Sequence, residues 1–145
     1  SGSIDCFLSS KSGNQKVVID FKRSNFVFST FTAITSFEQI QLWFYLQRLI
    51  EQEEVNVHND ELIIGYIDLS DQTRSTFLSN SKDFSMQLKA ITKMSKFKII
   101  EEMQDSLAEY QEIEKNLVTK LQNEESFLAQ PFSSKSCGYC PLSNV

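Results

Sequence analysis

The run Val17-Val18-Ile19-Asp20-Phe21-Lys22-Arg23 is apolar and β-branched where it begins and charged where it ends. Branching at Cβ favours an extended backbone, so residues 16–21 read as a buried strand. Ile4 to Leu8 alternates loosely between apolar and polar positions and reads as its partner strand. The polar stretch Ser9 to Gln15, with Gly13 inside it, joins the two as a hairpin. Side chains two apart on a strand share a face. Asp20 and Lys22 therefore point to one side of the sheet end, and Phe21 turns to the other.

The segment Ser24 to Thr35 is rich in Phe and Thr without a clear period and reads as a loop over the sheet. Ser36 with Gln39 fits a capping box for a helix running to Gln52, with Ile40, Trp43, Phe44, Leu46, Leu49 and Ile50 near helical spacing. Val55 to Asp60 is a polar break. Leu62 to Leu69 (LIIGYIDL) reads as a third strand and Arg74 to Leu78 as a fourth, separated by the turn chemistry of Ser70-Asp71-Gln72. Lys82 to Met94 reads as a short helix or an irregular segment. Phe97 to Asn123 reads as a long amphipathic helix with the stripe Ile100, Met103, Leu107, Tyr110, Ile113, Leu117 and Leu121. The order ββ-α-ββ-α predicts an α/β chain of the α+β kind with a mixed sheet. Residues 1–130 form the expected core domain. Residues 131–145, with Pro131, Gly138 and Pro141, form a loop-like tail.

A chain of 145 residues can build one domain around a single core. No apolar run is long enough to span a bilayer and no signal peptide opens the chain, so a cytoplasmic protein without a membrane partner is expected. The net charge of −5 argues against coating nucleic acid by bulk charge. Local basic surface is still available from Lys11, Lys16, Lys22 and Arg23, and from Lys82, Lys89, Lys93, Lys96 and Lys98. The 3 cysteines make no even disulfide framework. Asp68 reads as a strand-end acid, because no lysine follows it. His58, the sole histidine, falls in the polar break and reads as a solvated loop residue. The pair Asp20 and Lys22 stands out chemically. A carboxylate can hold a divalent ion, and a neighbouring ammonium can steady a developing negative charge. That combination suits phosphodiester hydrolysis.

Three motifs in sequence give this chemistry a family. Gly2-Ser3-Ile4-Asp5 resembles the G-x-x-D motif of the PD-(D/E)XK nuclease superfamily, and Ile19-Asp20-Phe21-Lys22 resembles its (D/E)-x-K motif. Gln41-Leu42-Trp43-Phe44-Tyr45 is similar to the Q-x-x-x-Y motif of the RecB-like branch. The resemblance implies a restriction-endonuclease-like core with flanking helices and a catalytic set of Asp5, Asp20, Lys22, Gln41 and Tyr45. It implies Mg²⁺ or Mn²⁺ held by Asp5, Asp20 and the main-chain carbonyl of Phe21, with Gln41 arranging the site and Tyr45 near the DNA. The implied function is that of a metal-dependent DNA nuclease domain in a larger recombination and repair helicase–nuclease or exonuclease. Its partners would be DNA and the parent's other domains or subunits. The RecB-like pattern also carries a histidine or acid on a helix ahead of the first motif. No residues stand there in this chain, so two expectations stand side by side: the chain is the C-terminal part of a longer protein, or that ligand is lost. A reading from another class stands beside this one: a catalytically inactive nuclease-like module that binds DNA or a partner.

Cys137-Gly138-Tyr139-Cys140-Pro141 resembles the C-terminal cysteines of AddB-type iron–sulfur nucleases. The resemblance implies that Cys137 and Cys140 belong to a 4Fe-4S site in the full-length parent. A cluster needs four ligands, so none is expected in this chain alone. The plain alternative is a pair of free thiols on the tail.

Overall fold

The computed structural model describes residues 4–23, 31–92 and 96–123. Its first hairpin pairs β1 (Cys6–Ser9) with β2 (Gln15–Lys22), setting Cys6 opposite Ile19 and Ser9 opposite Lys16. Gly13 adopts φ +80 in the connecting turn, a left-handed conformation that glycine takes without strain. The Gly13 N–H donates to the Ser10 carbonyl at 2.9 Å.

A helical crossover follows, made of α1 (Phe31–Thr35) and α2 (Gln41–Glu51), and leads into β3 (Glu61–Asp68). A crossover of this kind lets the next strand run parallel to the one before it, and β3 pairs parallel to β2 from Gln15 opposite Glu61 to Lys22 opposite Asp68. A short 3-10 turn at Gln72–Arg74 reverses the chain into β4 (Thr76–Ser79), antiparallel to β3. Helix α3 (Lys82–Thr92) then brings β5 (Phe97–Ile99) parallel to β4, before α4 (Met103–Gln122). The sheet has 5 strands in the order β1-β2-β3-β4-β5. This is a mixed sheet with flanking helices, an α+β fold consistent with a restriction-endonuclease-like core.

Three sequence expectations need correction. Phe31–Thr35 is a helix, not a loop; residues 24–30 of that expected loop lie outside the described residues. The expected capping box does not form. Ser36 instead closes α1, its N–H donating to Thr32 O at 2.8 Å, and Phe37 turns the chain with φ +61. Helix α2 consequently starts at Gln41 without a side-chain cap. Phe97–Ile99, expected as the first turn of the long helix, is a strand. Phe97 and Ile99 are half-buried and Lys98 exposed between them, a period of two too short to stand out beside the helical stripe that follows.

Helices cover both faces of the sheet. On one face Val18, Leu62, Ile64, Tyr66 and Leu78 pack with Leu42, Trp43, Leu46 and Leu49 of α2, Ile34 of α1, and Met103, Leu107 and Tyr110 of α4. On the other, Val17, Ile19, Ile63 and Phe77 pack with Phe84 of α3. This explains why the apolar start of β2 does not alternate: a strand covered on both sides is apolar on both. The chain divides into two units, residues 1–111 and 112–145. The first unit holds the whole sheet. Of the second, the described residues continue α4, and there the expected stripe is exposed at Ile113, Leu117 and Leu121. The expected domain boundary at residue 130 lies outside the described residues, as do Gly2, Cys137 and Cys140. Among the described residues no helix is long and apolar enough to cross a membrane.

Gly65 in β3 is a place where only glycine fits. A Cβ there would stand 2.4 Å from Phe77 Cδ1 and 2.5 Å from the Thr76 carbonyl oxygen. Gly65→Ala is expected to cost about 1–3 kcal/mol by overpacking, with backbone among the atoms that must move. A urea unfolding midpoint equal to that of the unaltered protein would overturn this.

Candidate active site

Period-two geometry at the end of β2 turns Asp20 and Lys22 to the face covered by α2. The same helix carries Gln41 on its first turn, aimed at the gap between them. Gln41 Oε1 accepts from Lys22 Nζ at 2.7 Å, while Gln41 Nε2 donates to Asp20 Oδ1 at 3.0 Å and to Tyr45 Oη at 2.6 Å. These contacts fix the amide's orientation. Flipped, it would set its oxygen against a carboxylate and its NH₂ against an ammonium. Tyr45, one helical turn on from Gln41, is buried, so its hydroxyl meets the site through Gln41.

Asp20 is only 3% exposed. Lys22 Nζ lies 2.5 Å from its Oδ2 as an ion pair. Asp5 immediately precedes β1. One further step along the hairpin register from Cys6 and Ile19 brings it opposite Asp20. Its Oδ2 accepts from the Phe21 N–H at 2.9 Å. The two carboxylates are close enough to sense each other. Burial pushes the Asp20 carboxyl above the usual range; Lys22 pulls it partly back, and the charge of Asp5 adds to the rise.

This donor set suits a hard divalent ion, which prefers carboxylate and carbonyl oxygens. Asp20 supplies a buried carboxylate, and Asp5 supplies a second carboxylate beside it. Among the described residues no group of three or more His, Cys, Asp or Glu side chains stands together. An ion here would rest on two carboxylates, completed by main-chain oxygen and water. His58 is exposed in its loop, as expected. Cys6 is a half-buried free thiol.

The sequence did not single out Tyr66 or give Asp68 a role. Tyr66 pairs with Asp20 in register, and Asp68 with Lys22. Lys22 Nζ lies 5.4 Å from the Tyr66 ring centroid, a cation–π distance. Burial raises the Tyr66 phenol well above its usual range, Asp20 adds to the rise, and a hydrogen bond from the Leu42 main chain opposes it. Tyr66 and Asp68 are spaced two apart, as Asp20 and Lys22 are, and only the parallel pairing in that register brings all four to one face.

The raised Asp20 carboxyl has a pH consequence. The native state holds that proton more tightly than the unfolded chain does. Stability from this group is therefore greatest below the ordinary carboxylate pKa of about 4, and is lost as pH rises through the raised native value. Glu61, Asp68 and Asp71 are shifted the other way. Their contributions are lost as pH falls below the ordinary range, and they cancel when two variants sharing them are compared. In metal-free protein, the Tm of Asp20→Asn minus that of the unaltered chain is expected to grow as pH climbs from about 4. A difference that stays flat with pH would overturn the assignment.

Comparisons with curated proteins and with solved structures give no match. The profile of the PD-(D/E)XK nuclease superfamily matches residues 1–145. With that match spanning the chain, and a mixed sheet carrying an Asp-x-Lys pair at its end, the chain belongs to the PD-(D/E)XK nuclease superfamily.

Proposed function

We propose that this chain is a metal-dependent deoxyribonuclease domain of the RecB-like, AddB-type branch, acting within a larger helicase–nuclease. The observation that carries the reading is the Gln41 amide, which bridges Asp20 and Lys22 and so holds acid and ammonium at one point. Asp5, Asp20 and the Phe21 carbonyl would hold Mg²⁺ or Mn²⁺. Bound there, the ion supplies Lewis-acid chemistry, polarising the phosphoryl oxygen and making water a better nucleophile.

The chain's own groups do the rest. Lys22 presents a fixed positive charge to the phosphate as negative charge builds up on it. Gln41 keeps the Lys22 ammonium on this side of the sheet and presents Asp20 Oδ1 in one orientation. Tyr45 buttresses Gln41 from beneath, close to where DNA would pass. Tyr66 floors the site and keeps water from the inner side of Lys22. The 4Fe-4S expectation for Cys137 and Cys140 remains part of this proposal for the parent protein.

The test is cleavage of labelled single- and double-stranded DNA by the purified parent, with Mg²⁺, with Mn²⁺ and with chelator. Metal-dependent cleavage supports the reading. The second reading, an inactive binding module, draws on the way Asp20 is already engaged by Lys22 and Gln41. Isothermal titration separates the two: no divalent binding at millimolar concentration, with DNA still bound, favours the module.

A further inference from the structure

At the end of β3 the fold fixes one carboxylate from several sides. Asp68 is fully buried. Its Oδ1 accepts from the Ser70 N–H at 2.8 Å, the Ser70 hydroxyl at 2.6 Å and the Asp71 N–H at 3.2 Å. Its own N–H donates to Ser75 Oγ at 3.1 Å. Its Oδ2 has no hydrogen-bond partner and lies 3.5 Å from Arg74 Nε. Antiparallel neighbours are commonly joined by about 2–5 residues, and the connection between β3 and β4 is longer than that. It is also tied down along its length. The Leu69 N–H donates to the Lys22 carbonyl at 3.0 Å, and the Asp71 carboxylate takes the Thr73 N–H at 3.0 Å and hydroxyl at 2.6 Å. Reversing a chain requires none of this. At the end of this fixed connection stands Arg74, whose side chain is 46% exposed with Nε turned to the buried carboxylate.

Asp68 stands opposite Lys22 in the parallel register. The anchor of Arg74 is thus one strand from the Lys22 ammonium, on the same face and at the same end of the sheet. In a chain of net charge −5, attraction for a polyanion has to be local. Lys22 is committed to Asp20 and Gln41. Resting on the nuclease reading above, we propose that Arg74, oriented by buried Asp68, takes a backbone phosphate next to the one that is cleaved. Arg74 is then a positioning residue that fixes where the strand lies. A guanidinium suits this better than an ammonium, because its planar fork matches the geometry of phosphate oxygens.

The experiment measures binding of a fluorescein-labelled DNA duplex with Ca²⁺ in place of Mg²⁺, across a salt series, and cleavage of the same duplex in Mg²⁺. Arg74→Ala is expected to weaken binding about tenfold at low salt, and to lower the slope of log K against log salt by about 0.9, the loss of one phosphate contact. In Mg²⁺ it raises KM and leaves kcat in place. Arg74→Gln keeps a donor for Asp68 but drops the charge, so it delivers the same slope change if Arg74→Ala fails to fold. A folded Arg74→Gln with an unaltered salt slope overturns the proposal. Unaltered protein that binds the duplex but does not cleave it overturns the nuclease reading, and the slope comparison still decides Arg74. Cleaving protein with an unaltered slope in the variant overturns Arg74 alone.

Discussion

Lys22→Ala is expected to lower kcat/KM for DNA cleavage by about 10²–10³-fold, the usual loss when a fixed donor aimed at developing charge is removed. The ammonium is held between Asp20 and Gln41 over the Tyr66 ring, so it has little reorganisation to undergo as the phosphate reacts. Asp20→Ala removes both a proposed metal ligand and the partner of Lys22, and its loss is expected to be at least as large. Stability complicates both experiments, because stripping one charge from a buried pair leaves the other uncompensated. The double substitution Asp20→Asn with Lys22→Met resolves this. It removes both charges, so folding is expected to recover while cleavage stays lost. Steady-state kinetics beside urea unfolding reads the two effects separately. Folded Lys22→Ala protein that cleaves at the rate of the unaltered chain would sink the proposed mechanism.

The largest expected effect on stability belongs to Trp43→Ala, at about 3–5 kcal/mol. That is a large share of the roughly 5–15 kcal/mol by which domains of this kind are stable. Trp43 is fully buried in the core formed by α1, α2 and the sheet, against Phe37. Its indole N–H donates to the Ile34 carbonyl at 2.9 Å, which joins α1 to α2. It lies between Gln41 and Tyr45 on the same helix, so the residue that roots α2 also determines how steadily Gln41 is held. Trp43→Phe keeps much of the volume and loses the N–H donor, and a milder loss is expected. A urea midpoint for Trp43→Ala close to that of the unaltered protein would mean that α2 is held by other contacts.

The strands that carry long apolar runs were legible in the sequence because burial on both faces leaves a plain compositional mark. β2 and β3 fall within a residue or two of where Lys16–Phe21 and Leu62–Leu69 predicted them. The short elements were not legible. β5 has three residues, and α1 has five, too few for any period to declare itself. The capping box failed because a local pattern at Ser36 and Gln39 was overruled by the end of α1, which the sequence did not reveal. Asp20, Lys22, Gln41 and Tyr45 were proposed from motif order, and the fold draws all four into one hydrogen-bonded group. Asp5 was proposed the same way and is brought beside Asp20 by the hairpin. Tyr66 and Arg74 were passed over, and Asp68 was read only as a strand-end acid, because their meaning depends on which strand pairs with which, and in what register. A single sequence carries no direct trace of that.

The parallel register between β2 and β3 bears on which genetic changes this protein can absorb. Side chains on a strand alternate with a period of two, so a shift of one residue exchanges the two faces completely. A single codon inserted or deleted between Gln15 and Asp20 would leave every motif letter in the gene. It would nonetheless turn Asp20 and Lys22 toward α3 and swing Phe21 beneath Gln41. At this end of the sheet the count of residues is inherited as strictly as their identity. Relatives are therefore expected to vary freely in the Ser10–Asn14 turn and to keep the spacing from there to Lys22 unbroken.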